Sequence, residues 1–392
     1  MTSIAADVRY RWFMGAEARL LLLVTAGLIA FGLATVYSAS GMLAQREGLS
    51  SWTYFVRQLA GVGLGLLLLA AFSKVDAELW SKWAWPIMLL SILLLTLVIL
   101  PFTESIAPRH LGSRRFLIGA SLQPSELGKM AVIVWTSMLI VKKGDKLRRL
   151  TKGLLPFLVI VGLLDVLVAL EPDLSVAMMY TLIMAIILFA GGVRIGHVVV
   201  LGIIATPLLW DQFQRLNYAL LRMTAFFDPG AAPGHVSHQL KQSLIAVGSG
   251  QIFGVGFGQG RQQLGFLPLP YNDFIAGTIG EEWGFLGMVG LVGAFAAFGF
   301  MGFRIARKAR STFLQLTAVG ITSTIVLTAY LHIGVAIGML PPTGLTLPFI
   351  SYGRSNLVLS LLMTGVLVNI GSTREKVIGS RATDPSFAMQ QV

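Results

Sequence analysis

The chain has 392 residues, 55% of them hydrophobic and 12% charged, with a mean hydropathy of +0.76 and a formal charge of +12. A soluble domain carries about 25% charged residues, so this composition excludes an ordinary soluble globule and points to a polytopic membrane protein. With no cysteine and only five scattered histidines, disulfides, thiolate metal centres, cysteine nucleophiles and a histidine-rich metal site drop out of consideration.

Ten apolar runs follow one another along the chain, near Leu20–Tyr37, Leu59–Phe72, Trp83–Leu100, Leu127–Val141, Leu154–Leu170, Leu174–Phe189, Ile195–Leu209, Ile279–Phe303, Leu314–Met339 and Leu357–Ile370. Helices of about 20 apolar residues cross a bilayer, which makes the expected fold all-α and polytopic, with about ten transmembrane helices. The first run follows Arg9, Arg11 and Arg19 and precedes Ser38-Ala39-Ser40, as a signal peptide would. It is longer than an h-region of roughly 7–15 residues and many spans follow it, so it reads as the first retained helix.

The basic excess, 30 Lys and Arg against 18 Asp and Glu, sits in short loops, where it sets topology rather than binding nucleic acid. Lys142–Lys152 holds six cations, and Arg304, Arg307, Lys308 and Arg310 follow the eighth run. Ten spans put both clusters and both termini on one side, which the positive-inside rule makes cytoplasmic. The outer loops are then Phe102–Glu126, with Arg109, Arg114 and Arg115 against the usual bias, Leu340–Asn356, and the large loop Trp210–Thr278 between the seventh and eighth helices. Residues 1–370 read as one transmembrane domain and 371–392 as a flexible cytoplasmic tail. No second copy of the large loop or its motifs is found, which weakens an inverted-repeat transporter.

Loops longer than about 12–15 residues are usually functional or disordered, and the large loop carries anchoring aromatics with six glycines between Gly248 and Gly260. It lacks Gly-Lys-Ser/Thr and faces outward, which excludes ATP binding. Its end is the stretch Asn272-Asp273-Phe274-Ile275, followed by Glu281 and Glu282. Ionised groups at a membrane boundary must be paired, hydrated or used. Asp273 is open to two roles, a helix cap or a catalytic carboxylate. Glu281 and Glu282 read as a structural pair, one of them matched to a basic residue.

A second polar cluster joins Arg114, Arg115, Glu126 and Lys129, with Pro124 at a helix start. Glu126 and Lys129 share a helix face and form either a local pair or, with the arginines, a cradle for an anionic lipid phosphate. In Glu171-Pro172-Asp173 the aspartate reads as a helix cap. Pro341–Ser355 reads as a rigid outer loop around a cavity, with Ser351 and Arg354 as polar contacts.

Several motifs in order, Leu122–Lys129, Pro172-Asp173-Leu174, Phe227-Asp228-Pro229, Gln242–Gly250, Asn272–Ile275 and Gly344–Gly353, closely resemble those of the SEDS family (shape, elongation, division and sporulation) from about Leu20 to Ile370. The wording of the last motif and of Gly258–Pro268 is nearer to the division branch than to the elongation branch. Departures are Glu171 for a common Gln, His332 for a common Asn, Arg354 and Asn356 for Gly and Ser, and His110-Leu111-Gly112 for a common Asn-Gly start.

The resemblance implies a peptidoglycan glycosyltransferase that polymerises lipid II outside the cytoplasmic membrane during septal wall synthesis. It also implies a class B penicillin-binding protein and other divisome membrane proteins as partners. Asp273 matches the family's essential aspartate, and Glu126 and Lys129 its characteristic glutamate and lysine. Asp273 is then the expected general base, acting with inversion at the donor carbon. Arg115 and Lys129 stand near the phosphates with Glu126 orienting Lys129, and Gln242, Ser243 and Ser351 are further expected substrate contacts. A divalent cation, Mg2+ or Mn2+, is the candidate cofactor for the leaving pyrophosphate. The rival functions are a lipid II flippase and a scaffold that recruits the crosslinking enzyme.

Overall fold

The computed structural model describes residues 8–100, 103, 114–117, 122–148, 153–193, 196, 217–227 and 234–378. Nine of the expected spans fall on helices: α1 Ala16–Arg46, α2 Thr53–Lys74, α3 Leu79–Ile99, α4 Pro124–Lys143, α5 Leu155–Leu170, α6 Leu174–Ala190, then α9 Ile275–Arg307, α10 Thr312–Ala336 and α11 Arg354–Ile370. Six of these are long and apolar enough to cross a membrane, and α5, α6 and α11 are shorter apolar helices. Of the remaining expected span, Ile195–Leu209, only residue 196 is among the described residues, and Arg109 and Asp228 lie outside them. Inside the large loop two further helices form, α7 Asn217–Phe227 and α8 Gly234–Ser249.

The short second run lengthens to 22 residues because Thr53–Gln58 precedes it in the same helix and Ser73 and Lys74 follow it. Pro124 opens α4, where its missing N–H costs nothing. Asp173 caps α6 by accepting from the Val176 N–H at 3.4 Å.

Polar side chains reveal the centre of the bundle. Helices α4 and α10 are buried on most of their surface, whereas α2 and α3 expose most of theirs. The hydroxyls of Ser137, Thr324 and Thr328 each donate to the carbonyl four residues earlier at 2.7 Å, so these three are satisfied within their own helices. Helix α11 packs most extensively on α2. Gly365 permits this, since a Cβ there would meet the Leu69 carbonyl oxygen at 2.6 Å.

Residues 372–378 depart from the expected flexible tail. They form a strand, β2, antiparallel to β1 at Val8–Met14, with Met14 opposite Ser372 and Val8 opposite Ile378. The partner comes from the other end of the chain, so the composition of the tail by itself holds no sign of it.

Helix α9 is broken at Gly284, whose φ of 64° and ψ of −160° belong to a region open in practice only to glycine. In an unbroken helix the N–H groups of Phe285 and Leu286 would bond to the carbonyls of Glu281 and Glu282. Here the large loop is inserted between them. Phe285 and Leu286 donate instead to the carbonyls of Gln251 and Ile252 at 2.8 and 3.1 Å. The vacated carbonyls of Glu281 and Glu282 accept from Val255 and Gly256 at 2.9 and 3.1 Å. The helix ladder is cut and every exposed end is taken up by the loop.

The two glutamates tie down the rest of that loop. Glu281 accepts from the Arg261 and Gln262 N–H groups at 2.8 and 3.2 Å, and Glu282 from the Gly258 N–H at 3.1 Å and from the Ser38 hydroxyl. The expected cation partner is thus replaced by backbone donors, which the glycine-rich path brings within reach.

A Cβ on residue 284 would lie 2.3 Å from the Gly254 nitrogen, in addition to the backbone strain of about 1–3 kcal/mol. Gly284→Ala should therefore lower the unfolding temperature of the detergent-solubilised protein by several degrees and expose the 251–266 loop to protease. An unchanged unfolding temperature would contradict the inserted-loop geometry.

Candidate active site

The site grows from the turn before α9. Loop 341–353 grips this turn through the backbone: the Tyr352 N–H donates to the Tyr271 carbonyl at 2.9 Å, and the Ser351 hydroxyl to the Asn272 carbonyl at 2.8 Å. Ser351 Oγ also accepts from the Leu347 N–H, and the Ser351 carbonyl accepts from Gln58 Nε2, each at 2.9 Å. Tyr54, Tyr271 and Tyr352 pack as a triad with ring centroids 4.9–5.5 Å apart. Ser351, expected to touch substrate, is buried and holds the residue before Asp273 in place.

Two residues that depart from the family pattern anchor the same loop from behind. His332 Nδ1 lies 2.8 Å from the Leu345 carbonyl, which calls for the proton on Nδ1. Asn356 Nδ2 donates to the Thr346 carbonyl at 3.0 Å and is itself held by the Ser360 hydroxyl.

Asp273 is half-buried. It does not cap α9, because the cap position belongs to Phe274 and no side chain bonds there. Burial pushes its carboxyl above the usual carboxylate range; the positive charges of Arg222 and Arg115 oppose this and the charge of Asp173 adds to it. Burial likewise pulls the Arg222 guanidinium down to about 10, with Asp273 opposing, which leaves it charged at neutral pH. Arg222 stands on α7 and donates to the Pro342 carbonyl at 3.2 Å, so the loop that grips Asn272 also locates this cation.

Arg115 reaches the turn between α5 and α6. It pairs with Asp173 at 3.4 Å, donates through Nε to the Glu171 carbonyl at 3.1 Å, and bonds to the Pro172 carbonyl. Asp173, Asp273, Arg115 and Arg222 therefore form one alternating set of charges drawn from four separate segments. Asp173 was readable as a cap only. Its second role needs Arg115, 58 positions earlier, and no local pattern contains both.

The other expected residues take different partners. Glu126 and Lys129 close on each other at 2.7 Å and are buried together in α4. Ser243 is fully buried, donates to the Ala336 carbonyl at 2.8 Å and lies against Gly277, which places it in the packing of α8, α9 and α10. Gln242 is half-buried beside it on α8. Among the described residues no three acids or histidines are close enough to hold a metal ion.

Glu171, where Gln is common in the family, is 2% exposed and neither carboxylate oxygen has a hydrogen-bond partner. Burial first, then the neighbouring charge of Asp173, pushes it from an ordinary 4.5 up to about 9, against the pull of Arg115. The folded protein holds this proton while the unfolded chain releases it. The stabilisation that results is complete below the ordinary value and is lost as pH rises towards about 9. Glu171→Gln has no proton to lose. Its unfolding temperature should exceed that of the unmodified protein by a margin that widens between pH 5 and 9; a margin independent of pH would count against a buried neutral acid.

Comparison with known proteins supplies the context of this site. Residues 18–376 match the family model described as cell cycle protein, covering FtsW, RodA and SpoVE. A probable peptidoglycan glycosyltransferase FtsW from Trichlorobacter lovleyi is 36% identical over 354 residues, 90% of this chain and 92% of that protein. Stage V sporulation protein E of Bacillus subtilis is 35% identical over 353 residues, 90% of this chain and 96% of that protein. Among solved structures, a chain of a peptidoglycan synthase complex that coordinates polymerization and crosslinking superposes with a TM-score of 0.73 at 24% identity, covering 94% of this chain and 98% of that one. The rod shape determining protein RodA of Thermus thermophilus gives 0.64 at 23% identity, covering 94% and 97%. Likenesses at that identity establish the shared fold.

Proposed function

The chain belongs to the FtsW/RodA/SpoVE family, and from that premise we propose that it is a peptidoglycan glycosyltransferase that polymerises lipid II during septal wall synthesis. The observation that carries this reading is Asp273, a half-buried carboxylate at a helix start, set among Arg222, Arg115 and Asp173. Chain growth needs a sugar hydroxyl of the acceptor to attack the anomeric carbon of a sugar held by lipid pyrophosphate. The Asp273 carboxylate takes the hydroxyl proton as the new C–O bond forms, and burial makes it a stronger base than an exposed aspartate. The bond from the anomeric carbon to the pyrophosphate oxygen breaks on the opposite face, which inverts that carbon.

The leaving lipid pyrophosphate gathers negative charge, and Arg115 and Arg222 are the cations whose fields already reach Asp273. Lys129, held by Glu126, stands further back as a support for the phosphates. Gln242 is a candidate contact for the sugar chain. A divalent cation, Mg2+ or Mn2+, enters this reading as the counter-ion of the substrate's pyrophosphate, since the described residues assemble no resident site. The partner that fits the reading is a class B penicillin-binding protein, which crosslinks the new strand, together with other divisome membrane proteins. The peptidoglycan synthase complex that shares this fold supports that pairing.

Asp273→Asn keeps the size of the side chain and removes its basicity. Polymerisation of lipid II by the purified protein in liposomes should fall about 10²-fold or more while protein yield is unchanged. In the unmodified protein, activity should appear as pH rises through a value above the usual carboxylate range, where Asp273 loses its proton. Near-normal glycan synthesis by a folded Asp273→Asn protein would remove Asp273 as the base. Leaflet exchange of lipid II without glycan synthesis would favour the flippase, and neither activity would favour the scaffold.

The reaction side is part of the proposal: ten spans, both termini cytoplasmic, and Asp273 facing the periplasm or cell exterior. The chain lacks cysteine, so Gln259→Cys and Lys146→Cys provide clean reporters at exposed positions. In intact cells a membrane-impermeant thiol reagent should label Gln259→Cys and spare Lys146→Cys. The reverse pattern would place Asp273 in the cytoplasm and defeat the polymerase reading.

A further inference from the structure

On the topology proposed above, the inner membrane boundary is marked by Glu17, which pairs with Arg304 at 3.3 Å and Lys308 at 2.6 Å. From that level α1 and α9 run outward packed against each other. A helix rises 1.5 Å per residue and the hydrocarbon core is about 30 Å thick, so each crosses it in about 20 residues. Counting from Glu17 reaches Tyr37, and counting back from Arg304 reaches Gly284.

The two counts meet at one level, because the hydroxyl of Ser38 donates to Glu282. Aromatic rings gather there as they do at membrane interfaces. Tyr37 packs on Trp52 and Phe55 with centroids 4.6 and 6.0 Å apart, and Phe257 lies 6.3 Å from Trp283. The loop inserted at Gly284 therefore lies at the outer boundary of the hydrocarbon, not above it in water.

The loop has the two properties that such a depth demands. Its side chains are apolar and point outward: Phe253 is 78% and Ile252 58% exposed, continuous with Phe285 and Leu286 on the open face of α9. Much of its backbone is paired from within: the Gly254 N–H donates to the Gly250 carbonyl, and the N–H groups of Val255, Gly256, Gly258, Arg261 and Gln262 are all taken by Glu281 and Glu282. Non-helical backbone survives next to lipid only on that condition.

We propose that residues 251–257 are an interfacial anchor that dips Ile252, Phe253 and Phe257 into the outer leaflet, with lipid as the occupant of this apolar face. Arg46, which donates to the Leu264 carbonyl at 2.5 Å, then stands at headgroup level. The anchor is joined through the Gly284 break to the helix that begins two residues after Asp273, so it fixes the height of the active-site turn relative to the membrane surface where a lipid-linked substrate would enter.

The test uses the full-length protein with single cysteines at Phe253→Cys and Gln259→Cys, labelled with bimane and reconstituted into phosphatidylethanolamine/phosphatidylglycerol vesicles. Acyl-chain-brominated phosphatidylcholine should quench the Phe253→Cys label several-fold more than the Gln259→Cys label, and aqueous iodide should quench in the opposite order. Iodide quenching at Phe253→Cys equal to that at Gln259→Cys, with no effect of brominated lipid, would overturn the anchor. Protection of a water-exposed Phe253→Cys label only after addition of a class B penicillin-binding protein would also overturn it and assign the face to a protein partner. Both variants lie at exposed positions, and intact binding of the loop to α9 is checked by the unfolding temperature before labelling.

Discussion

Backbone hydrogen bonding within a membrane is the constraint on which this structure depends. A helix meets it by itself, and a loop meets it only if something else supplies donors and acceptors. The break at Gly284 answers both needs at once. Cutting the α9 ladder frees two carbonyls and two N–H groups, and the loop segment 251–256 supplies the counterpart to each. Glu281 and Glu282 then carry the pairing outward to residues 258–262. The charged side chains that looked out of place in an apolar helix are what permits an irregular chain to lie against it.

That arrangement also explains why Asp273 has a defined position. Below it, α9 is fastened to the large loop at Gly284. Beside it, the 341–353 loop holds the carbonyls of Tyr271 and Asn272. Leu345 and Thr346 of that loop are in turn fastened by His332 of α10 and Asn356 of α11. The departures from the family pattern at these two positions thus fall on the support of the loop. A carboxylate held by a turn fastened in this way has little backbone freedom left to lose.

Acids in this chain illustrate three different fates of buried charge. Glu281 and Glu282 are satisfied by backbone donors, Asp173 and Asp273 are balanced by Arg115 and Arg222, and Glu171, without a hydrogen-bond partner, holds its proton against the pull of Arg115. A neutral Glu171 adds no negative charge beside Arg115, so the guanidinium remains matched to Asp173. This is the function that a glutamine would perform without a titration.

Hydrophobic runs, loop charge and the motifs around Asp273 were enough to read the class of fold, the position of nine helices and the family, because each is a local property of sequence. Asp273 was singled out by the same local logic, as a carboxylate between a glycine-rich loop and a span. What the sequence could not contain was pairing at a distance. Arg115 meets Asp173, Arg222 acts on Asp273, Ser351 holds Asn272 and the 251–256 segment enters α9, each across a separation that only folding closes. Ser243 and Ser351 looked like substrate contacts because hydroxyls in motifs are ambiguous; the structure gives their hydrogen bonds to buried carbonyls. Spans follow from the apolar area each segment must hide from water, which is fixed by its own residues. The site follows from which polar groups remain to satisfy one another once those spans have packed, and that is decided only in three dimensions.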